Sequence, residues 1–201
     1  AAGLRGIRAV ALQPGGRGWL AGDGGLVLTS DNGGAAWRPP AGEFPRFLRD
    51  TMDFAAVATV GERVWLAGTP GSVVWHSLDD GQTWSAFPTG QTAPIAGLHF
   101  TSESDGWAVG AMGTILTTRD GGRTWTAARG GDRRAAVLAV HAHESRVSLN
   151  LVARYGGEQG YRTAVALISR RDIGPDRAQG RTLDLRLHDA VVAAGGAASH
   201  L

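Results

Sequence analysis

Three sets of residues carry side chains that could do chemistry. The run Val140-His141-Ala142-His143-Glu144-Ser145 packs two imidazoles, a carboxylate and a hydroxyl into six positions. Imidazole and carboxylate are zinc donors, and a hydrolytic zinc needs three protein ligands and an open position. Asp31, Asp79, Asp80 and Asp120 lie in Gly-rich turns, where carboxylates could act as general acid and base. Seven Trp residues offer flat faces for a stacked ligand.

The acids and six of the Trp residues belong to a pattern written three times. Gly-Trp-Leu-Ala-Gly starts at Gly18, Val-Trp-Leu-Ala-Gly at Val64 and Gly-Trp-Ala-Val-Gly at Gly106. Each is followed by a short apolar run and a Gly-rich turn that closes on a second Trp, at positions 37, 84 and 125. A period of roughly 40–45 residues is that of a four-stranded propeller blade. In the third unit the strands expected are Ile95–Phe100, Gly106–Val109, Thr114–Thr118 and Thr124–Ala127. Trp75 has no equivalent in the other units and is the one Trp expected at the surface. His76 and His99 are expected as surface or satisfied strand residues. The Pro-rich connection from Arg38 to Thr51 reads as a surface loop.

The closing turns have the form Ser/Thr-x-Asp-x-Gly-x-Thr-Trp and resemble the Asp-box of the sialidase-like, or BNR, repeats. The box positions are Ser30, Asn32, Gly34 and Trp37, then Ser77, Asp79, Gly81 and Trp84, then Thr118, Asp120, Gly122 and Trp125. The first box departs from the pattern, with Asn32 for Asp and Ala36 for Thr. A carboxylate in such a turn accepts hydrogen bonds from its own backbone, so the box is expected to secure a hairpin and not to catalyse. Gly-Trp-Ala-Val-Gly, Gly-Thr-Ile-Leu and Thr-Arg-Asp-Gly-Gly-Arg-Thr-Trp together look like the propellers of the photosystem II assembly factor family, over about residues 5–130. That resemblance implies a module that binds other proteins and has no catalytic residues. A sialidase-type glycosidase is disfavoured. It needs an Arg cluster and a Tyr nucleophile, and the two Tyr residues, 155 and 161, lie outside the blades. Phe44-Pro45-Arg46 is only a faint echo of that family's Arg motif.

Composition narrows the classes further. The 201 residues contain no Cys, which excludes disulfide scaffolds and thiol chemistry. All 20 basic residues are Arg, and the net charge is only +2. No Arg stripe with interleaved aromatics suggests nucleic-acid binding, and no apolar run is long enough to span a bilayer. The chain begins at Ala1 and reads as a fragment, or as one that has lost a leader.

From about residue 131 the repeat stops. Ala135–Val140 reads as a buried parallel strand. Val147, Leu151, Val152 and Tyr155 read as a helix ended by Gly156-Gly157, and Thr163–Ser169 as a second strand. Leu183, Leu187, Ala190, Val191 and Ala194 read as a second helix. Residues 133–198 thus resemble the opening of the PIG-L/LmbE-type de-N-acetylases, whose strand leads into Ala-His-Pro-Asp-Asp. Arg186-Leu187-His188-Asp189 resembles that family's Arg-x-x-Glu helix. Of the zinc ligands that the resemblance implies, only His143 survives. Ser145 and Arg146 fall where the base and the second metal Asp should be, and His188 and His200 do not form a His-x-x-His. A second register, which breaks the Ala-His match, puts His141 and Glu144 at the ligand positions.

The expected architecture is therefore mainly β. A partial propeller of three Asp-box blades, residues 1–130, precedes a small βαβα, Rossmann-like segment, residues 131–201. The expected function is a non-catalytic binding or assembly module, with no cofactor, joined to an inactive deacetylase-like piece. Its partner is a protein or a glycan, met through the propeller outside the cytoplasm. The alternative is the N-terminal part of a zinc-dependent de-N-acetylase acting on an N-acetyl sugar.

Overall fold

Apolar and small residues alternate along the repeat, and Gly pairs punctuate it, so the chain folds as a run of antiparallel hairpins. The computed structural model describes residues 5–42, 44–45 and 51–127, and the backbone of three further strands between 135 and 169. The first sheet holds β1 (Ile7–Leu12), β2 (Gly18–Gly22) and β3 (Val27–Ser30). The second holds β4 (Asp53–Val60), β5 (Arg63–Thr69), β6 (Val73–Ser77) and β7 (Ser85–Pro88). The third holds β8 (Ile95–Phe100), β9 (Gly106–Gly110), β10 (Ile115–Thr118) and β11 (Thr126–Ala127). In each sheet neighbouring strands are consecutive in sequence, as in a propeller blade. In the first sheet the place of a fourth strand holds only a single bridge, Thr29 to Arg38.

The non-repeating segment corrects the expected βαβα unit. It forms a fourth antiparallel meander of β12 (Ala135–His143), β13 (Arg146–Arg154) and β14 (Tyr161–Ser169). The stretch read as a helix from Val147 is strand β13. Val147, Leu149 and Leu151 alternate with Ser148 and Asn150, and this period of two prevails over the helical spacing. Ala135–Val140 pairs antiparallel with β13, not in a parallel sheet. No α-helix occurs among the described residues, and the second expected helix, Leu183 to Ala194, lies outside them. First strands of successive sheets lie side by side, β1 by β4, β4 by β8 and β8 by β12, so the meander takes the place of a fourth blade.

Among the described residues two seams make the core. Between the first and second blades lie Trp19, Ala21, Phe54, Val57, Leu66 and Trp75, flanked by Ala9, Ala11 and Trp84. Between the second and third lie Ala56, Ala58, Trp65, Ile95, Leu98 and Phe100, flanked by Trp125. The first and second blades thus each set a small-residue inner strand and one indole against the larger apolar side chains of the next. This large-against-small interdigitation is what close packing demands.

The structure overturns two further expectations. Trp75 is buried, and so is Phe44 of the connection expected to lie on the surface. Phe44 meets Trp84 at 4.8 Å between ring centroids, and Phe54 and Trp75 each at 5.5 Å. It plugs the first seam from outside the repeat. Phe44→Ala is therefore expected to cost about 3–5 kcal/mol, the loss typical of a buried aromatic. Urea unfolding monitored by Trp fluorescence checks this; a surface residue there would leave the midpoint unchanged.

Candidate functional site

The three box turns share one geometry, set by two successive residues with positive φ. These are Gly33 and Gly34, Asp80 and Gly81, and Gly121 and Gly122. The first of each pair donates its N–H to a carbonyl of the first hairpin turn of its own blade: Gly33 to Gly16 (2.7 Å), Asp80 to Glu62 (2.9 Å) and Gly121 to Ser104 (2.9 Å). In the second box the second residue must be Gly for another reason as well. A Cβ on Gly81 would strike the indole of Trp19, which comes from the preceding blade.

The acids bond within their own turns. Asp79 Oδ1 accepts from Ser77 Oγ and from the Thr83 N–H, both at 2.8 Å, while Oδ2 accepts from Thr83 Oγ1 at 2.6 Å. Ser77 Oγ accepts in turn from the Gly81 N–H at 2.7 Å. The third box repeats this. Asp120 accepts from Thr118 Oγ1 (2.8 Å), the Thr124 N–H (2.9 Å) and Thr124 Oγ1 (2.6 Å). In the first box Asn32 Oδ1 keeps the bonds from Ser30 Oγ and the Ala36 N–H, both 2.9 Å. Ala36 has no hydroxyl to supply the remaining one.

Charge follows from these bonds. The Thr83 hydroxyl and N–H hold the Asp79 carboxyl below its ordinary value. Burial raises that of Asp120, but the hydrogen bonds from Thr124 and Thr118 outweigh it and the net shift is again downward. A general acid needs the opposite shift, so both carboxylates are built as acceptors that fasten a turn. Of the other acids, Asp31 pairs with Arg38 at 2.9 Å on the surface, and Asp80 with Arg17 at 3.4 Å.

The repeat Trp residues sort into two kinds. Trp19, Trp65 and Trp107 are buried, whereas the box residues Trp37, Trp84 and Trp125 are half-buried. Trp65 donates its Nε1–H to Gly121 O at 2.7 Å, tying the second blade to the third box. Its ring lies between Phe100 (3.7 Å, 8°) and His76 (5.0 Å, 13°).

His76 is the titratable residue the sequence placed least well. It is buried, only 3% exposed, and its Nε2 finds no hydrogen-bond partner among the described residues. Burial, ahead of the cations of Arg63 and Arg123, pulls its pKa down from 6.5 to about 4. Isolated along the chain, it carries no sign of this stacked position.

The expected metal ligand is not assembled as the deacetylase resemblance requires. His143 ends β12 and pairs with Arg146, the first residue of β13, while His141 pairs with Ser148. The strand returns at once as an antiparallel neighbour and does not lead into a helix. Glu144, Ser145, His188 and His200 lie outside the described residues. Among the described residues no three His, Asp or Glu side chains converge on a metal position, and no helix is long and apolar enough to cross a membrane.

Comparison with known proteins points the same way. Residues 6–97 match the family described as photosynthesis system II assembly factor YCF48. The photosystem II assembly lipoprotein Ycf48 of Synechococcus sp. (strain CC9902) is 30% identical over 115 residues, 55% of this chain and 33% of that protein. The chain thus spans about a third of that relative's length. Among solved structures, YCF48 bound to D1 peptide superposes with a TM-score of 0.61 at 18% identity, over 80% of this chain and 53% of that one. A GH74 enzyme of Niastella koreensis gives 0.62 at 16%, over 84% and 29%. At that identity the likeness is one of fold. Residues 6–97 are a BNR propeller region like that of YCF48, and the deacetylase-like reading of residues 133–198 finds no support.

The box geometry predicts a graded series. Asp120→Ala removes three hydrogen bonds and is expected to cost about 1–3 kcal/mol. Asn32→Asp with Ala36→Thr completes the first box and is expected to add about 0.5–1.5 kcal/mol. Urea midpoints at pH 7 measure both.

Acid should destabilise the fold in two stages. His76 is neutral when folded at a pH where the unfolded chain binds a proton, so stability falls from pH 6.5 to about 4. That loss is at most about 3 kcal/mol. The box carboxylates, whose folded pKa values are lowered, contribute stability above 3.8 that is lost as pH falls further. Melting curves of His76→Phe should lose the first stage and keep the second.

Proposed function

We propose that this chain is a non-catalytic propeller module that binds a segment of a protein partner during assembly. The observation that carries this reading is the engagement of the box carboxylates. Asp79 and Asp120 spend both oxygens on their own turns and are held ionised. Neither of these two box carboxylates is left to protonate a leaving group or activate water. The likeness to YCF48, a protein whose solved structure holds a D1 peptide, supports a peptide as ligand and an assembly role. The reading includes no cofactor and places the chain outside the cytoplasm, where Asp-box proteins are expected to work.

Fluorescence anisotropy with a labelled D1 peptide tests it directly. Saturable binding is expected, and Asp79→Ala and Asp120→Ala should retain affinity within about threefold, since those acids hold turns and do not touch ligand. Assays on glycoside and N-acetyl sugar substrates should show no turnover. Turnover that disappears when either Asp is replaced would overturn the proposal, as would peptide binding that fails to saturate by about 1 mM.

A further inference from the structure

The first box differs from the other two in a way that opens a chemistry to it alone. Where Asp79 and Asp120 carry carboxylates, Asn32 carries an amide, and the residue after it is Gly33. A carboxylate carbon would have to expel an oxygen anion to take a new bond, and the donors of their own turns hold Asp79 and Asp120 ionised. An amide can lose ammonia at neutral pH. A following glycine has no side chain to shield its nitrogen. The positive φ of Gly33 closes the hairpin, so the residue that the turn requires is also the one that exposes the nucleophile. The chain holds one other Asn, Asn150, and it precedes Leu151.

The closed turn prepares one half of the reaction and withholds the other. Asn32 Oδ1 accepts from Ser30 Oγ and from the Ala36 N–H, both at 2.9 Å. Negative charge gathers on this oxygen when a nucleophile adds to Cγ, so the two donors stand where that charge would be stabilised. Asn32 and Gly33 are both exposed, within reach of water and of solvent base. The nucleophile, by contrast, is held back. Gly33 donates its N–H to Gly16 O at 2.7 Å. That bond keeps the proton on the nitrogen and aims it at the first hairpin turn of the blade.

We propose that Asn32 is a self-modification site, protected by the Gly33–Gly16 hydrogen bond and reactive when the first box lifts away from that turn. On opening, the Gly33 N–H gives its proton to solvent base and its nitrogen bonds to Asn32 Cγ. The Cγ–Nδ2 bond breaks, and the leaving nitrogen takes a proton from water and departs as ammonia. Water then opens the cyclic imide. Attack at Cγ breaks the new C–N bond and leaves an aspartate at position 32. Attack at the main-chain carbonyl leaves an isoaspartyl link instead. The first product gives this box the acid that the other two have and lowers the net charge of +2 by one. The second adds a carbon to the main chain within the turn, so the box no longer closes as before. This inference is independent of the proposed peptide binding.

The full chain is held at neutral pH in water enriched in heavy oxygen, either folded or unfolded in urea. Peptide mapping by mass spectrometry reads Asn32 and Asn150. Conversion with uptake of heavy oxygen is expected at Asn32, and in the folded chain it should be slower by about tenfold or more than in the unfolded one. A Cβ on Gly16 would come within 3.1 Å of Gly33 N, at a positive φ that a branched side chain resists. Gly16→Val should therefore loosen the protecting bond and speed conversion in the folded chain by about tenfold. Urea below the unfolding midpoint gives a second reading, in which conversion should rise in step with amide exchange at Gly33. Equal rates in the folded and unfolded chain overturn the proposal, as does an unfolded chain in which Asn150 converts as fast as Asn32. A folded Gly16→Val chain that converts no faster than the unaltered one also overturns it. Conversion that begins only with global unfolding does the same, and that reading stands even if Gly16→Val fails to fold.

Discussion

An indole seated against a glycine of the next blade is the contact on which the seams depend. Trp19 lies where a Cβ on Gly81 would have to be, and Trp65 reaches the third box and bonds Gly121 O. The glycine serves twice, adopting a positive φ that closes its own hairpin and leaving room for a side chain from elsewhere. Local turn and long-range seam are therefore one requirement. A residue that spoils the turn also lifts a large apolar surface off its neighbour.

This coupling explains why carboxylates placed so regularly are engaged within their own turns. The box acid fixes the loop that presents the glycine. In doing so its oxygens take up the hydroxyl and N–H donors on either side. The first box shows that an amide oxygen can do most of this work, since Asn32 holds the same two donors as its counterparts. What the site needs is an acceptor at that position and not a charge.

Where the chain repeats, the sequence was a good guide. The four strands of the third unit lie within two residues of their expected bounds at every end. Repetition tests each reading against two others. Where it does not repeat, one reading stood alone and failed. Val147, Leu151 and Val152 satisfy a helical spacing, and the same stretch alternates Val147, Leu149 and Leu151 with Ser148 and Asn150. Only backbone pairing with β12 and β14 decides between the two periods. Phe44 and Trp75 failed for a related reason. Trp75 has no counterpart in the other units and Phe44 lies in a Pro-rich connection, so each reads as a surface residue, yet they meet each other in the first seam. His76 was no more legible, because its stacking partner Trp65 lies on the neighbouring strand.

The plug made by Phe44 makes the two seams unequal. Phe44 and Met52 belong to a long connection, whereas the second and third blades are joined by only six residues, 89–94. Contacts in such a row run only between neighbours, so cooperativity passes along it one link at a time. A row with unequal links does not melt evenly. The short tether makes the second seam the cheaper of the two to close in chain entropy. The first seam, with the longer tether, carries an aromatic side chain of that tether within it. The longer connection thus supplies part of the seam that it spans.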